Sequence, residues 1–257
     1  MNTQQGQKQR SLIKVGTIWQ LGEHRLAYGD CRDKELLKKL LRNGQVSLVC
    51  TDPPYGVAVV ESKRGFSTLS KDKIIANDQL QSDSQYRTFS TEWLKAVVPY
   101  LAKKNAAYIF NADKMVWALR DGMLDAGFKA SQLLVWVKSQ AVLGRLDYAP
   151  QHELIVYGWH GTHLFHRSAD KSVFFYPRPS KSNLHPTTKP IGLIRRLILN
   201  SSNIGDVVYD GFLGSGTTIF ACEQTKRVCY GIEYELEYCL SVIERWQKLT
   251  GLKARQV

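Results

Sequence analysis

The chain has no apolar run long enough to cross a bilayer and no apolar h-region near its start, so neither membrane spanning nor secretion is expected. It shows no internal repeat and no low-complexity segment. Its five cysteines (Cys31, Cys50, Cys222, Cys229 and Cys239) are odd in number, and none forms a CxxC pair or a zinc constellation with the six histidines, so a metal centre is not expected. Several of them lie in apolar patterns, as reduced core cysteines do, and a reducing, cytoplasmic compartment is the natural expectation. What is present is ample for a packed core: 257 residues, 44% of them hydrophobic, fit one sizeable domain or a domain with an insertion. The 23% of charged residues argues against bulk disorder. A net charge of +12 points either to a polyanionic partner or simply to a basic soluble enzyme.

Met1 to about Lys14 is polar and rich in Gln and basic residues, and reads as a frayed arm that could touch phosphates. Residues 23–31 read as a short strand ending in a turn. Leu36, Leu37, Leu40 and Leu41 give helical spacing over 32–42, closed by Asn43-Gly44. Val46 to Cys50 is a short apolar strand. Residues 57–85 lose all periodicity; such loops are usually functional or disordered. Residues 86–98 form an amphipathic helix, 106–110 a buried strand and 113–126 a helix ended by Gly127. Residues 132–138 and 152–159 are two strands, expected to be antiparallel neighbours around Tyr148-Ala149-Pro150. Residues 161–183 are a second irregular stretch, basic and aromatic. Then follow a helix over 190–200, with Pro190 suited to its first turn, a strand over 206–210, a helix over 217–225, a strand over 227–233 and a helix over 236–250. Strands alternating with helices predict an α/β domain with a largely parallel sheet.

Three stretches carry the chemistry. The first, Thr51-Asp52-Pro53-Pro54-Tyr55-Gly56, sits where a buried strand ends. Its two prolines fix φ twice and remove two N–H groups, and push the residue before each out of the helical region. The product is a stiff corner that offers carbonyls beside one carboxylate and one ring. Such a corner is either a plain turn or a functional site. The second, Asp210-Gly211-Phe212-Leu213-Gly214-Ser215-Gly216-Thr217-Thr218, joins a strand to a helix. Its glycines let the backbone approach a ligand, and the helix start offers N–H groups, the nucleotide-binding logic of open α/β sheets. No Lys follows the last glycine, so it is not a P-loop, and Ile219 stands where a dinucleotide fingerprint has its third glycine. The next strand ends at Glu233, an acid placed to take both hydroxyls of a ribose. The third, His185-Pro186-Thr187-Thr188-Lys189-Pro190, is by itself a rigid entry to a helix.

Together the three resemble the amino-group DNA methyltransferases that use S-adenosylmethionine. That family carries a DPPY motif for chemistry, an FxGxG motif for the cofactor and an HPTxKP segment before the latter. With DPPY first and FxGxG late, the order is similar to the permuted β group, and the resemblance runs from Gly29-Asp30-Cys31 to about Trp246. Asn77-Asp78, His152-Glu153 and Arg245-Trp246 look like the compact enzymes of phages and prophages. Gly211 departs from the family's usual proline. The resemblance implies a Rossmann-like methyltransferase fold: a mostly parallel seven-stranded sheet, one strand antiparallel, with helices on both faces. It implies one catalytic domain over 1–257, with a mobile arm (1–14), a DNA-contacting loop (57–85) and a small target-recognition insertion (161–183).

The same resemblance implies roles. Asp52 and the carbonyl of Pro53 would accept the two hydrogens of an exocyclic amine, with Pro54 shaping the corner and Tyr55 stacking on a base taken out of the duplex. Phe212, Gly214 and Gly216 would shape the methionine pocket, with Ser215 also among the cofactor-binding residues, and Thr217, Thr218 and Lys189 would hold the cofactor's carboxylate. Glu233 would take the ribose, Asp30 and Cys31 would lie against the adenine, and His185 and Pro186 would close the pocket, with Asp52 at its edge. Asp210 is either a ligand of the cofactor amine or a structural strand-end acid. S-adenosylmethionine is the implied cofactor, without a metal; double-stranded DNA and a second copy of the chain are the implied partners, in a restriction-modification or phage setting. DPPY is associated with adenine N6 and a leading serine with cytosine N4, so adenine N6 is the expected target, of strict or relaxed sequence. Cytosine N4 is the nearest alternative, and a catalytically idle DNA-binding partner subunit is the rival from another class.

Overall fold

Strand β3 (Val46–Thr51) is buried at all six positions, and the rest of the chain is layered around it. The structure is a computed structural model, and it describes residues 13–42, 44–56, 80–141, 147–167, 170–177 and 188–257. In chain order its elements are β1 (Ile18–Leu21), β2 (His24–Tyr28), α1 (Lys34–Leu41), β3, α2 (Asp83–Val97), β4 (Leu101–Asn111), α3 (Val116–Asp125), β5 (Phe128–Val137), β6 (His152–His160), β7 (Thr162–His163), β8 (Val173–Phe175), α4 (Ile191–Asn200), β9 (Val207–Asp210), α5 (Thr217–Thr225), β10 (Val228–Glu233), α6 (Leu236–Thr250) and β11 (Arg255–Gln256).

The strands join in the order β11-β1-β2-β10-β9-β3-β4-β6-β5-β8, with β7 added to β4. From β2 to β4 all neighbours are parallel. β6 runs against both β4 and β5. The fold is thus the Rossmann-like arrangement expected, with a wider sheet: eleven strands among the described residues rather than seven. The four additional ones are β1, β7, β8 and β11, and what remains is a seven-stranded set in which β6 alone is reversed. Those four are two to four residues long and take their order from pairing with distant segments: β11 with β1, β8 with β5, β7 with β4. Residues 161–183, expected to be irregular, therefore contribute β7 and β8 to the sheet.

Alternation along the strands sends side chains to two cores. Val49, Ala107 and Ile109 face the leucines of α1, with Trp93 and Leu94 of α2 and Leu119 of α3. Leu48, Cys50, Tyr108 and Phe110 face the other way, toward Leu197 of α4, Ile219 of α5 and Trp246 of α6. All five cysteines are buried and unpaired. Helix α2 starts at Asp83, inside the segment 57–85 expected to be loop. Ser82 is its N-cap: the Gln85 amide donates to Ser82 Oγ (3.3 Å) and the Ser82 amide to Gln85 Oε1 (2.9 Å), a capping box written in the sequence as S-x-x-Q. Pro190 caps α4 rather than entering its first turn.

The crossover from β3 through α2 to β4 covers one face, and that from β9 through α5 to β10 covers the other. The order of the strands diverges between β3 and β9, and the crevice at such a divergence, beyond the carboxyl ends, is where open α/β sheets bind ligands.

Candidate active site

Both motifs arrive at this crevice because β3 and β9 are neighbours. Thr51 and Asp210 end the two strands, and the Thr51 hydroxyl donates to Asp210 Oδ1 at 2.6 Å. One cavity is walled by the corner Asp52 to Tyr55 and by the loop Gly211 to Ser215. Eleven residues expected to hold a cofactor lie on its wall: Asp30, Cys31, Asp52, Lys189, Asp210, Phe212, Gly214, Ser215, Thr217, Thr218 and Glu233. His185 and Pro186 lie outside the described residues. So do most of residues 57–85, all of 1–12 in the arm, and 168–169 and 178–183 of the insertion.

On the side of the corner, four charged groups alternate in sign. Lys189 Nζ donates to Asp52 Oδ2 and lies 3.2 Å from Glu153 Oε2. Glu153 Oε1 pairs with Lys138 Nζ at 2.8 Å. The Tyr55 hydroxyl donates to Asp52 Oδ1 at 2.6 Å and lies 3.1 Å from Glu153 Oε2. The Lys189 ammonium also stands over the Phe110 ring, 5.2 Å from its centre. Burial pushes the Asp52 carboxyl up; Lys189 pulls it back and Glu153 adds to the rise. Burial also pushes Glu153 up, but Lys189 and Lys138 outweigh it and hold it at about 2. The Tyr55 phenol is driven well above its usual range by burial and by Asp52.

Lys189 has partners that its place in the sequence did not show. Its ammonium is committed to two carboxylates beside the corner, where two anions compensate one buried cation, rather than pointing free for a cofactor carboxylate. Glu153 was legible only as part of His152-Glu153. The signal that could have found it is one acid opening an otherwise apolar strand, HELIVYGWH, since a buried acid needs a partner. Lys138, just past β5, carries the same signal.

On the glycine-loop side, the Leu213 amide donates to the Ile232 carbonyl at 2.9 Å and ties the loop to β10. The amides of Gly214 and Glu235 donate to Glu233 Oε2 (2.6 Å) and Oε1 (2.7 Å). Phe212 packs edge-on against Trp93 at 5.5 Å and lies 5.8 Å from Phe89, so its ring is braced by α2. Arg245 of α6 holds the loop from behind by donating to the Ser215 carbonyl at 2.6 Å. Gly216 is not on the cavity wall: its φ of +79° and a Cβ that would meet Val242 at 2.7 Å make it the tight start of α5. Asp30 is paired with Arg32 at 2.7 Å. Asp210 ends β9 on the cavity wall. It accepts from Thr51, from the Phe212 amide (3.1 Å) and, on Oδ2, from Thr218 Oγ1 (2.6 Å). The Thr218 hydroxyl is thereby spent inside the protein, leaving Ser215 and Thr217, 3.2 Å apart at their hydroxyls, as the hydroxyl pair at the start of α5.

Burial raises Glu233 from 4.5 to about 7, against the two amide bonds it accepts. It raises Asp210 from 3.8 to about 6, against its hydroxyl and amide donors. A carboxyl raised in the folded state stabilises the fold in its protonated form; that contribution is complete below the unfolded value and is lost as pH rises through the folded one. The ligand-free protein is therefore expected to lose thermal stability between about pH 4 and pH 7. Glu233 accounts for up to roughly 3 kcal/mol of this, and Glu233→Gln should flatten the upper part of the fall. Unfolding followed by circular dichroism across that range tests this, and a wild-type melting temperature indifferent to pH would refute it.

Comparison with known proteins gives one consistent result. A family model described as DNA methylase, of the N6/N4 methyltransferases, matches residues 46–171 and 159–244. The Type II methyltransferase M.HpaI of Haemophilus parainfluenzae is 29% identical over 239 residues, covering 80% of this chain and 70% of that one. Among solved structures, M1.HpyAVI in complex with SAM superposes with a TM-score of 0.65 at 22% identity, over 86% of this chain and 97% of the other. The PvuII DNA methyltransferase, titled cytosine-N4-specific, gives 0.67 at 17% identity, over 88% and 89%. At these identities the two structures speak for the fold alone.

Proposed function

This chain belongs to the N6/N4 DNA methylase family, and from that premise we propose that it methylates the N6 amine of an adenine flipped out of double-stranded DNA, with S-adenosylmethionine as donor. The observation that carries the reading is the opposition of two motifs across one cavity: an acid-and-carbonyl corner at the end of β3, and a glycine loop with a strand-end acid at the ends of β9 and β10.

The residues present fit the cofactor. Glu233 offers a carboxyl to a ribose diol at a strand end, Phe212 offers a braced apolar wall, and Ser215 and Thr217 offer hydroxyls at the start of α5 for the amino-acid end. When bound, S-adenosylmethionine supplies an electrophilic methyl group with a good leaving group, so alignment is the protein's main contribution. Asp52 and the Pro53 carbonyl accept the hydrogens of the target amine. That fixes the nitrogen and favours a lone pair localised out of the ring system. The prolines present these acceptors without competing N–H donors. Tyr55, held at its hydroxyl by Asp52 and Glu153, keeps its ring fixed for stacking on the base. As in other methyltransferases acting on duplex DNA, the base must leave the stack to reach such a pocket.

The basic balance of the chain suits phosphate binding. We assign DNA contact to residues 57–85, which leave directly from the corner at Gly56, and to 161–183, whose Arg167 and Lys171 are exposed; both belong to one catalytic domain. Asp52 in the first position of the motif favours adenine, although the acceptors suit the N4 amine of cytosine equally. The purified chain, plasmid DNA and labelled S-adenosylmethionine, followed by nucleoside digestion and mass spectrometry, form the test. N6-methyladenine is the expected product. N4-methylcytosine overturns the base assignment, and unlabelled DNA overturns the transfer itself.

A further inference from the structure

We infer that Glu153 is a positioning residue of this reaction: it receives the Lys189 ammonium from Asp52 when the target amine enters, and so frees the catalytic carboxylate. The inference rests on the reading of Asp52 as the acceptor of that amine.

Without substrate, Asp52 is not open. Oδ2 is taken by Lys189 and Oδ1 by the Tyr55 hydroxyl. An ammonium on the same carboxylate both occupies the acceptor and withdraws the negative charge that an incoming N–H needs. Lys189 is only 7% exposed, and a buried cation cannot be left without a counter-charge. It needs a second anion close by, and Glu153 Oε2 is that anion at 3.2 Å. Closing this gap to the ~2.8 Å of a charge-assisted hydrogen bond is a small movement of a flexible stem.

Glu153 is built to receive it. Its other oxygen is held by Lys138 at 2.8 Å, and the two ammoniums keep it ionised. The hand-off creates no net charge, because Lys138, Glu153, Lys189 and Asp52 sum to zero before and after it. The Tyr55 hydroxyl, 2.6 Å from Asp52 and 3.1 Å from Glu153, can turn toward Glu153 in the same event. The groups facing Asp52 are therefore Lys189 from the segment before α4, Glu153 from β6 with Lys138 behind it, and Tyr55 from the corner, while Asp210 of β9 feels the charge of Asp52 across the strand ends.

The experiment compares Glu153→Gln and Glu153→Asp with wild type in single-turnover methyl transfer to plasmid DNA, in S-adenosylmethionine binding by calorimetry, and in a carbon-13 carboxyl titration of Asp52 assigned with Asp52→Asn. With a neutral amide at 153, Lys189 stays on Asp52. The transfer rate should fall on the order of 10²-fold with cofactor affinity unchanged. The acidic limb of the rate profile and the Asp52 titration should both move to lower pH, because the anion that raises Asp52 is gone and the cation that lowers it is pinned. Glu153→Asp, which keeps the charge, should recover part of the rate and of the limb. A Gln variant at wild-type rate overturns the hand-off, and so does a slow variant whose Asp52 titration is unmoved or whose cofactor affinity falls equally. An inactive wild type overturns the methyltransferase reading and the hand-off with it, whereas an active wild type with an unaffected variant removes the hand-off alone.

Discussion

Asp52→Ala should remove methyl transfer, with a loss on the order of 10³-fold, while leaving the fold and cofactor binding in place. On the proposed mechanism the side chain lost is the charged acceptor for the target amine, whereas Glu233, Phe212 and the start of α5 are untouched. The fold should tolerate the change because Asp52 is an acid that its surroundings disfavour in the charged state, and because Lys189 retains Glu153 as a partner at 3.2 Å. The stability change is expected to stay within about 1 kcal/mol, since the surviving cation is still compensated. Labelled-methyl incorporation into plasmid DNA, read beside calorimetric binding of S-adenosylmethionine, separates the two effects. If the variant labelled DNA as well as wild type, Asp52 would not be the acceptor. If both labelled it equally poorly, the chain would be the idle DNA-binding subunit that is its rival reading.

Gly158→Ala should produce the largest loss of stability from a single methyl group. Gly158 lies in β6 opposite Ala130, where the register of β5 shifts between Ala130 and Gln132. A Cβ at this position would stand 2.1 Å from the Lys129 carbonyl oxygen and 3.0 Å from the Met123 methyl. A backbone oxygen cannot swing away as a side chain can, so β5 and β6 would have to separate at an irregularity that brings their backbones together. A cost of about 3 kcal/mol or more is expected, which for a chain of this size lowers the melting temperature by roughly 6–12 °C. Thermal unfolding measures it directly, and a melting temperature equal to wild type would show that the two strands are not in this register. The position matters for function because the other end of β6 carries Glu153.

Much of the architecture was legible before any coordinates. Helices α5 and α6 run over the residues their periodicity marks, and β3 ends where the apolar run meets Asp52. The same holds for the two chemical loops: glycines, prolines and strand-end acids announce themselves locally, because backbone freedom and rigidity are properties of single residues. The capping box at Ser82 is equally local: it starts α2 at Asp83, three residues before Tyr86, where the apolar periodicity begins. The edge strands were not legible. Val173–Phe175 and Arg255–Gln256 are too short to carry a period, and they are strands only because β5 and β1 offer them an open edge.

The sequence by itself determined that a stiff corner with an acid and a glycine loop before a helix exist, and on which strand ends they sit. Only the tertiary structure decided which charges meet there. Asp52 and Lys189 are 137 positions apart, and periodicity specifies the face a side chain points to, never the residue that waits across the gap. A buried ammonium pairs with whichever carboxylates the fold brings within reach, because leaving it alone is prohibitive. In this chain those are Asp52 and Glu153, so Lys189, which the sequence offered to the cofactor, pairs with the acid of the corner and with one from β6.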